Sequence, residues 1–101
     1  MTFDDYQAAA ARTANPALTT EQRLFDAAAG LAEEAGEVLG QVRKHLFQDR
    51  ALDEQELRIE LGDVLWCLTM AASTAGLSLE DVARANLEKL RQRYPAGFSA
   101  R

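Results

Sequence analysis

The stretch Glu34-Ala35-Gly36-Glu37-Val38-Leu39 is written again, with small changes, as Glu60-Leu61-Gly62-Asp63-Val64-Leu65. Each copy places two carboxylates three residues apart with a glycine between them. Around both copies apolar residues recur at steps of three and four, the period of a helix. A glycine inside a helix costs about 1 kcal/mol relative to alanine, so close packing or a nearby ligand is expected to compensate for Gly36 and Gly62.

Successive helical residues turn by about 100°. Leu24, Ala28, Leu31, Ala35, Val38 and Val42 form one apolar stripe, with Glu34 about 60° and Glu37 about 120° to one side of it. Leu57, Leu61, Val64, Leu68 and Ala71 form a second stripe, and Glu60 and Asp63 fall at the same offsets on the same side. If a short turn joins the two helices they are antiparallel neighbours, and features on the same rotational side then emerge on the same side of the hairpin. The spacing therefore predicts that Glu34, Glu37, Glu60 and Asp63 converge. Glu34 would oppose Asp63 and Glu37 would oppose Glu60, leaving a stagger of about four residues, roughly 6 Å, for the turn to absorb.

Four ionised carboxylates about 5 Å apart repel by roughly 3 kcal/mol per pair at an effective dielectric of about 20. Protons, nearby Lys or Arg, or bound cations must offset this. An all-oxygen donor set without His or Cys suits a hard ion, Mg²⁺ or Mn²⁺, better than Zn²⁺.

Working outward, the sequence predicts four helices and no strand. The first covers Phe3 to about Thr13 and stops before Asn15-Pro16. Thr19 with Gln22 has the form of a capping box for a second helix reaching about Phe47. Asp53 with Glu56 caps a third that ends near Ala75, where Gly76 is a stop signal. Ser78 with Asp81 caps a fourth that ends near Arg93. The expected fold is all-α: an antiparallel hairpin inside a four-helix-type module. Residues 1–101 form one domain, with 96–101 as a flexible tail.

A chain of 101 residues buries only a modest core. Its net charge of −5 argues against a nucleic-acid surface. The N-terminus MTFDDYQ lacks the pattern of a signal peptide, and the uncharged run from Val64 to Leu77 is too short to span a bilayer. The single Cys67 cannot form an internal disulfide. These features predict a cytoplasmic protein with no membrane partner.

Glu33-Glu34-Ala35-Gly36-Glu37 followed by Glu60-Leu61-Gly62-Asp63 resembles the EExxE…ExxD signature of the MazG-like, all-α nucleoside triphosphate pyrophosphohydrolases. Lys44-His45-Leu46-Phe47-Gln48, Asn86-Leu87-Glu88-Lys89-Leu90 and Arg93-Tyr94-Pro95-Ala96-Gly97-Phe98 are similar to the short, single-module branch. The resemblance implies Mg²⁺-dependent hydrolysis of a nucleoside triphosphate, often a deoxynucleotide, to the monophosphate and pyrophosphate. It also implies a homodimer or homotetramer, with Glu34, Glu37, Glu60 and Asp63 as metal ligands. Glu33 is then a base, an outer-shell group or surface. A non-catalytic helical module that binds nucleotide or a protein partner is the alternative.

On the fourth helix Asn86, Lys89 and Arg93 follow Val82 along one flank, beside the stripe of Leu79, Ala83, Leu87 and Leu90. That flank offers an amide and two cations to phosphate, although cations near a helix C-terminus are favourable without any ligand. Asn86 interrupts an apolar neighbourhood and is expected to be buried. Lys44, near the second turn, is a further phosphate candidate. His45 reads as a surface or packing residue. The third helix is apolar nearly all round, with Ile59, Trp66 and Met70 opposite its stripe, which predicts a homo-oligomer built around it. Trp66 is expected in core or interface, with stacking on a nucleobase as the alternative.

Overall fold

Four polar side chains start four helices in the computed structural model, which describes residues 1–100. Thr2 opens α1 (Phe3–Ala11), Thr19 opens α2 (Thr20–Phe47), Asp53 opens α3 (Glu54–Thr74) and Ser78 opens α4 (Leu79–Arg93). At Thr2 and Thr19 the cap is reciprocal. The hydroxyl accepts from the backbone N–H three residues on, and the Asp5 or Gln22 side chain accepts from the cap's own N–H. The Thr2–Asp5 box was not anticipated from sequence.

The helix boundaries fall where the capping residues and prolines place them, with one shift. α1 ends at Ala11 rather than Thr13, because Arg12 and Thr13 donate to the carbonyls of Ala9 and Ala10, an i→i+3 pattern that tightens the last turn. Gly76, at φ 76°, closes α3 as expected: its N–H bonds Ser73 O and the Leu77 N–H bonds Ala72 O at 2.8 Å. Among the described residues there is no strand, only an isolated bridge between Pro95 and Gly97. That bridge belongs to a hook in which the rings of Tyr94 and Phe98 lie 5.8 Å apart. The hook begins the segment expected to be a flexible tail, whose last residue, Arg101, lies outside the described residues.

α2 and α3 form the antiparallel hairpin, and α1 and α4 pack against α3. The seam is rotated from the sequence expectation. The less exposed residues of α2 include Ala27, Gly30, Leu31, Glu34, Val38 and Val42, and those of α3's facing side are Leu57, Glu60, Val64, Cys67 and Ala71. Leu24, Leu61 and Leu68 are exposed. The apolar arc of each helix is wider than one seam, and the hairpin uses only the half nearest the carboxylates. The other half is left on the outside of the chain.

The close approach that glycine permits lies at Gly30, where a Cβ would stand 2.9 Å from Cys67 Sγ. At Gly36 and Gly62 a Cβ would meet nothing within 4 Å. The close packing expected of those two glycines is thus absent within the chain, because the rotated seam leaves both on exposed sides of their helices.

The small core joins Ala10 of α1, Ala27 of α2 and Met70 of α3, with Tyr6 and Trp66 packed against it. Gln7 pins the α3–α4 corner: its amide donates to Ser73 Oγ and Leu77 O, and its carbonyl accepts from the Leu79 N–H at 2.7 Å. No helix among the described residues is long and apolar enough to cross a membrane.

Candidate metal centre between α2 and α3

The Gly30–Cys67 contact sets the register of the hairpin. Four residues further along α2 and four back along α3, Glu34 faces Asp63. Glu60 is one turn nearer the loop, within reach of Glu34. The stagger anticipated at the turn is absorbed by residues 48–53, where Asp49 adopts a φ of 50° and His45 Nδ1 lies 2.7 Å from Arg50 O. His45 therefore secures the turn, in keeping with a packing role.

Carboxylate oxygens of Glu34, Glu60 and Asp63 all lie within 4.8 Å of one another. Glu34 and Glu60 are half-buried, whereas Asp63 is exposed. Burial pushes the Glu34 carboxyl above its ordinary range, followed by a hydrogen bond with Glu60 and the charges of Asp63, Glu60 and Glu33. The same field reaches outward. Tyr6 on α1 has its phenol raised by burial and then by Asp63 and Cys67. The Cys67 thiol is raised by burial and then by Glu34 and Asp63, which keeps it protonated and unreactive.

Glu37 is not part of this triad. It lies a turn further along α2, in a polar cleft of about 230 Å³ that it shares with Glu60, Gln41, Lys44, Arg50 and Asp53. Lys44, which the sequence offered as a phosphate candidate only by its nearness to the turn, shares this cleft with Glu37 and Glu60. Arg50 was missed, and nothing in the sequence pattern around the turn singles it out. Glu33 is exposed beside Glu34, outside the triad.

The flank of α4 is elsewhere. Only the first turns of this helix pack, through Leu79, Val82 and Ala83, and everything from Arg84 to Arg93 is exposed. Asn86 is therefore solvent-facing rather than buried, and the structure does not bring Asn86, Lys89 or Arg93 to the carboxylates of their own chain. Leu87 and Leu90, expected in the packed stripe, are 49% and 42% exposed.

Further along the hairpin, away from its loop, is a cavity of about 240 Å³ walled by Trp66, Met70, Ala27, Arg23, Asp26 and the loop after α1. Trp66 is half-buried and its indole N–H donates to Thr13 Oγ1 at 2.8 Å. Arg23 and Asp26 were not singled out in the sequence.

Three carboxylates from two helices, converging without a neutralising Lys or Arg in ion-pair contact among the described residues, have the donor chemistry of a hard divalent cation. Fold and site together define an all-α protein that carries a cation-competent acidic cluster across an antiparallel helix pair.

Residues 22–98 match the family described as MazG nucleotide pyrophosphohydrolase domain, and the chain belongs to that family. It is 38% identical over 84 residues to the uncharacterized protein YvdC of Bacillus subtilis (strain 168), covering 74% of this chain and 79% of that protein. It is likewise 38% identical over 72 residues to the Gene 37 protein of Mycobacterium phage L5, covering 67% of this chain and 63% of the phage protein. The chain thus spans a little under two thirds of the phage relative. No solved structure matches it significantly.

Proposed function

We propose that the chain hydrolyses a nucleoside triphosphate to the monophosphate and pyrophosphate, with Mg²⁺ as cofactor and Mn²⁺ as a substitute, in clearing the cytoplasmic nucleotide pool. The observation that carries this reading is the triad of Glu34, Glu60 and Asp63 in a chain of the pyrophosphohydrolase family. These three residues hold the metal, and Glu37, facing Glu60 across the adjoining cleft, completes the set. When bound, the metal neutralises phosphate charge and acidifies an attacking water.

The chain's own groups supply the rest. Lys44 and Arg50, in the cleft beside Glu37 and Glu60, hold the pyrophosphate end of the substrate. Glu33 lies outside the triad and its carboxylate is free to accept the proton of the water, with Glu34 as the alternative acceptor. The half-buried position of Glu34 and Glu60 limits water around the α-phosphate.

The working form is a homo-oligomer, dimer or tetramer. A compact monomer of 11.1 kDa would expose about 5,700 Å², whereas this chain exposes 7950 Å². Its radius of gyration is 16.3 Å, against about 13 Å for a compact chain of this length. Phe25, Leu39, Leu61 and Phe47 are among the apolar side chains left uncovered. In such an assembly Asn86, Lys89 and Arg93 serve the cluster of a neighbouring copy.

Incubation with a panel of nucleoside triphosphates and Mg²⁺ tests the reading. Pyrophosphate should be released rather than orthophosphate, and Glu60→Gln or Asp63→Asn should abolish release with helicity intact. Full turnover in either variant would remove the metal assignment. Metal-dependent nucleotide binding without any product would select the non-catalytic module instead.

A further inference from the structure

The carboxylate triad does not stand alone on its face of the hairpin. On α2, Arg23, Ala27, Glu34, Gln41 and Lys44 recur at helical spacing along one side. On α3, Met70, Trp66 and Asp63 do the same. Three features therefore follow one another along the hairpin: the cavity at Trp66, the carboxylates, and the cationic cleft at Lys44 and Arg50.

The cavity differs in kind from the cleft. Its walls are mainly apolar, built from Trp66, Met70 and Ala27. The indole is held in place by its bond to Thr13 Oγ1, and that hydroxyl in turn donates to Ala10 O at 2.7 Å, so neither group is left seeking a partner. Arg23 is different: its Nε is buried against the cavity without any hydrogen-bond partner. Asp26, three residues further along α2, lines the same cavity without bonding to it. A buried donor without an acceptor is costly and marks a place where a ligand atom completes the bond.

Spacing ties the cavity to the triad. Trp66 is three residues from Asp63, about 4.5 Å along the axis, and Ala27 is seven from Glu34, about 10 Å. One sugar and one phosphate bridge such a gap.

We propose that this cavity seats the nucleobase of the triphosphate against Trp66 and Met70, with Arg23 donating to a ring or carbonyl acceptor of the base and Asp26 accepting from its N–H edge. The substrate then lies along the hairpin with base at Trp66, α-phosphate at Glu34, Glu60 and Asp63, and pyrophosphate toward Lys44. Base selectivity resides in Arg23 and Asp26, not in the carboxylates. This inference rests on the reading of the triad as a triphosphate site, yet the base cavity can be tested without turnover.

Trp66 is the chain's single tryptophan, so its emission reports this cavity alone. Nucleosides carrying each common base are titrated into the full chain in EDTA, with ribose 5-phosphate and inorganic tripolyphosphate as base-free probes. Saturable quenching by one or more nucleosides, none by the base-free probes, and an affinity at least tenfold weaker in Arg23→Met are expected. In the turnover assay Arg23→Met should compress the spread of kcat/KM across bases by a similar factor. Hydrolysis that proceeds with no nucleoside quenching would overturn the base site and leave the proposed activity standing. Quenching without hydrolysis would do the reverse.

Discussion

Gly30 and Cys67 meet where α2 packs tightly on α3: a Cβ on Gly30 would stand 2.9 Å from the Cys67 sulfur. That contact fixes the register from which Glu34, Glu60 and Asp63 converge, so packing and site depend on the same pair of residues.

Gly30→Ala should therefore destabilise the chain although alanine is the better helix former. Overpacking a closed seam costs typically about 1–3 kcal/mol, against about 1 kcal/mol gained in propensity. A net loss near 1 kcal/mol is expected in chemical denaturation. Cys67→Ala in the same chain should recover most of it, giving a coupling outside additivity. Gly62→Ala, with open space around it, should instead stabilise the folded chain by about 0.5–1 kcal/mol. Equal effects at both positions would show that the contact does not set the seam.

Much of the fold was legible because its signals are local. Thr19, Asp53, Ser78 and Gly76 announce helix ends through bonds to residues two to five positions away. The matched offsets of the two acidic pairs depend only on helical pitch, whereas which of them meet depends on the seam: Glu34, Glu60 and Asp63 come within 4.8 Å of one another. What stayed hidden depends on which half of a broad apolar arc the chain uses. Leu24 and Leu61 looked like seam residues and are outside; Glu34 and Glu60 looked lateral and lie in the seam. Glu37 was set apart from the other three by that rotation. Asn86 looked buried because α4 carries a full apolar stripe, yet only its first turns have anything in their own chain to pack against. Arg23 and Arg50 carried no pattern at all.

The protonation of Glu34 gives the fold a pH dependence with a definite sign. Its carboxyl is held above the ordinary value of 4.5 by burial, the Glu60 hydrogen bond and neighbouring charge. The folded chain thus binds that proton more tightly than the unfolded chain. Its favourable contribution is complete below about 4.5 and is lost as pH rises through the raised folded value. Metal-free protein should lose thermal stability across that window, and Mg²⁺ should restore it only at the upper end, where it no longer competes with the proton. Melting curves of wild type and Glu60→Gln, with and without Mg²⁺, check this. The variant should show a shallower fall and no Mg²⁺-dependent rise.

Gln7 joins α1 to the α3–α4 corner through three hydrogen bonds. Leu79, whose N–H it accepts, is only 3% exposed. Gln7→Ala leaves that first-turn donor without a partner and should cost about 1–3 kcal/mol. Gln7→Glu keeps the acceptor for Leu79 and loses the two donated bonds, so its loss in thermal unfolding should be smaller. An alanine variant as stable as wild type would show that the corner is held by burial of Leu79 alone.

The separation between the α4 cations and the carboxylates leads to the sharpest test of the assembled site. Lys89 and Arg93 are exposed on a helix that packs only on α1 and α3, and Glu60 lies in the α2–α3 seam. If one copy supplies carboxylates and another supplies cations, Lys89→Ala and Glu60→Gln damage different halves of the same composite site. Each variant alone should be inactive or nearly so. Mixed, unfolded and refolded together, they form hetero-oligomers in which one site receives both defects and another receives neither. For a dimer with random exchange, roughly a quarter of wild-type activity should return, because half of the dimers are mixed and each has one intact site of two. Sites complete within one chain predict no recovery at any mixing ratio. Light scattering on the same samples confirms that both variants still assemble, so an absence of recovery cannot be traced to loss of the oligomer.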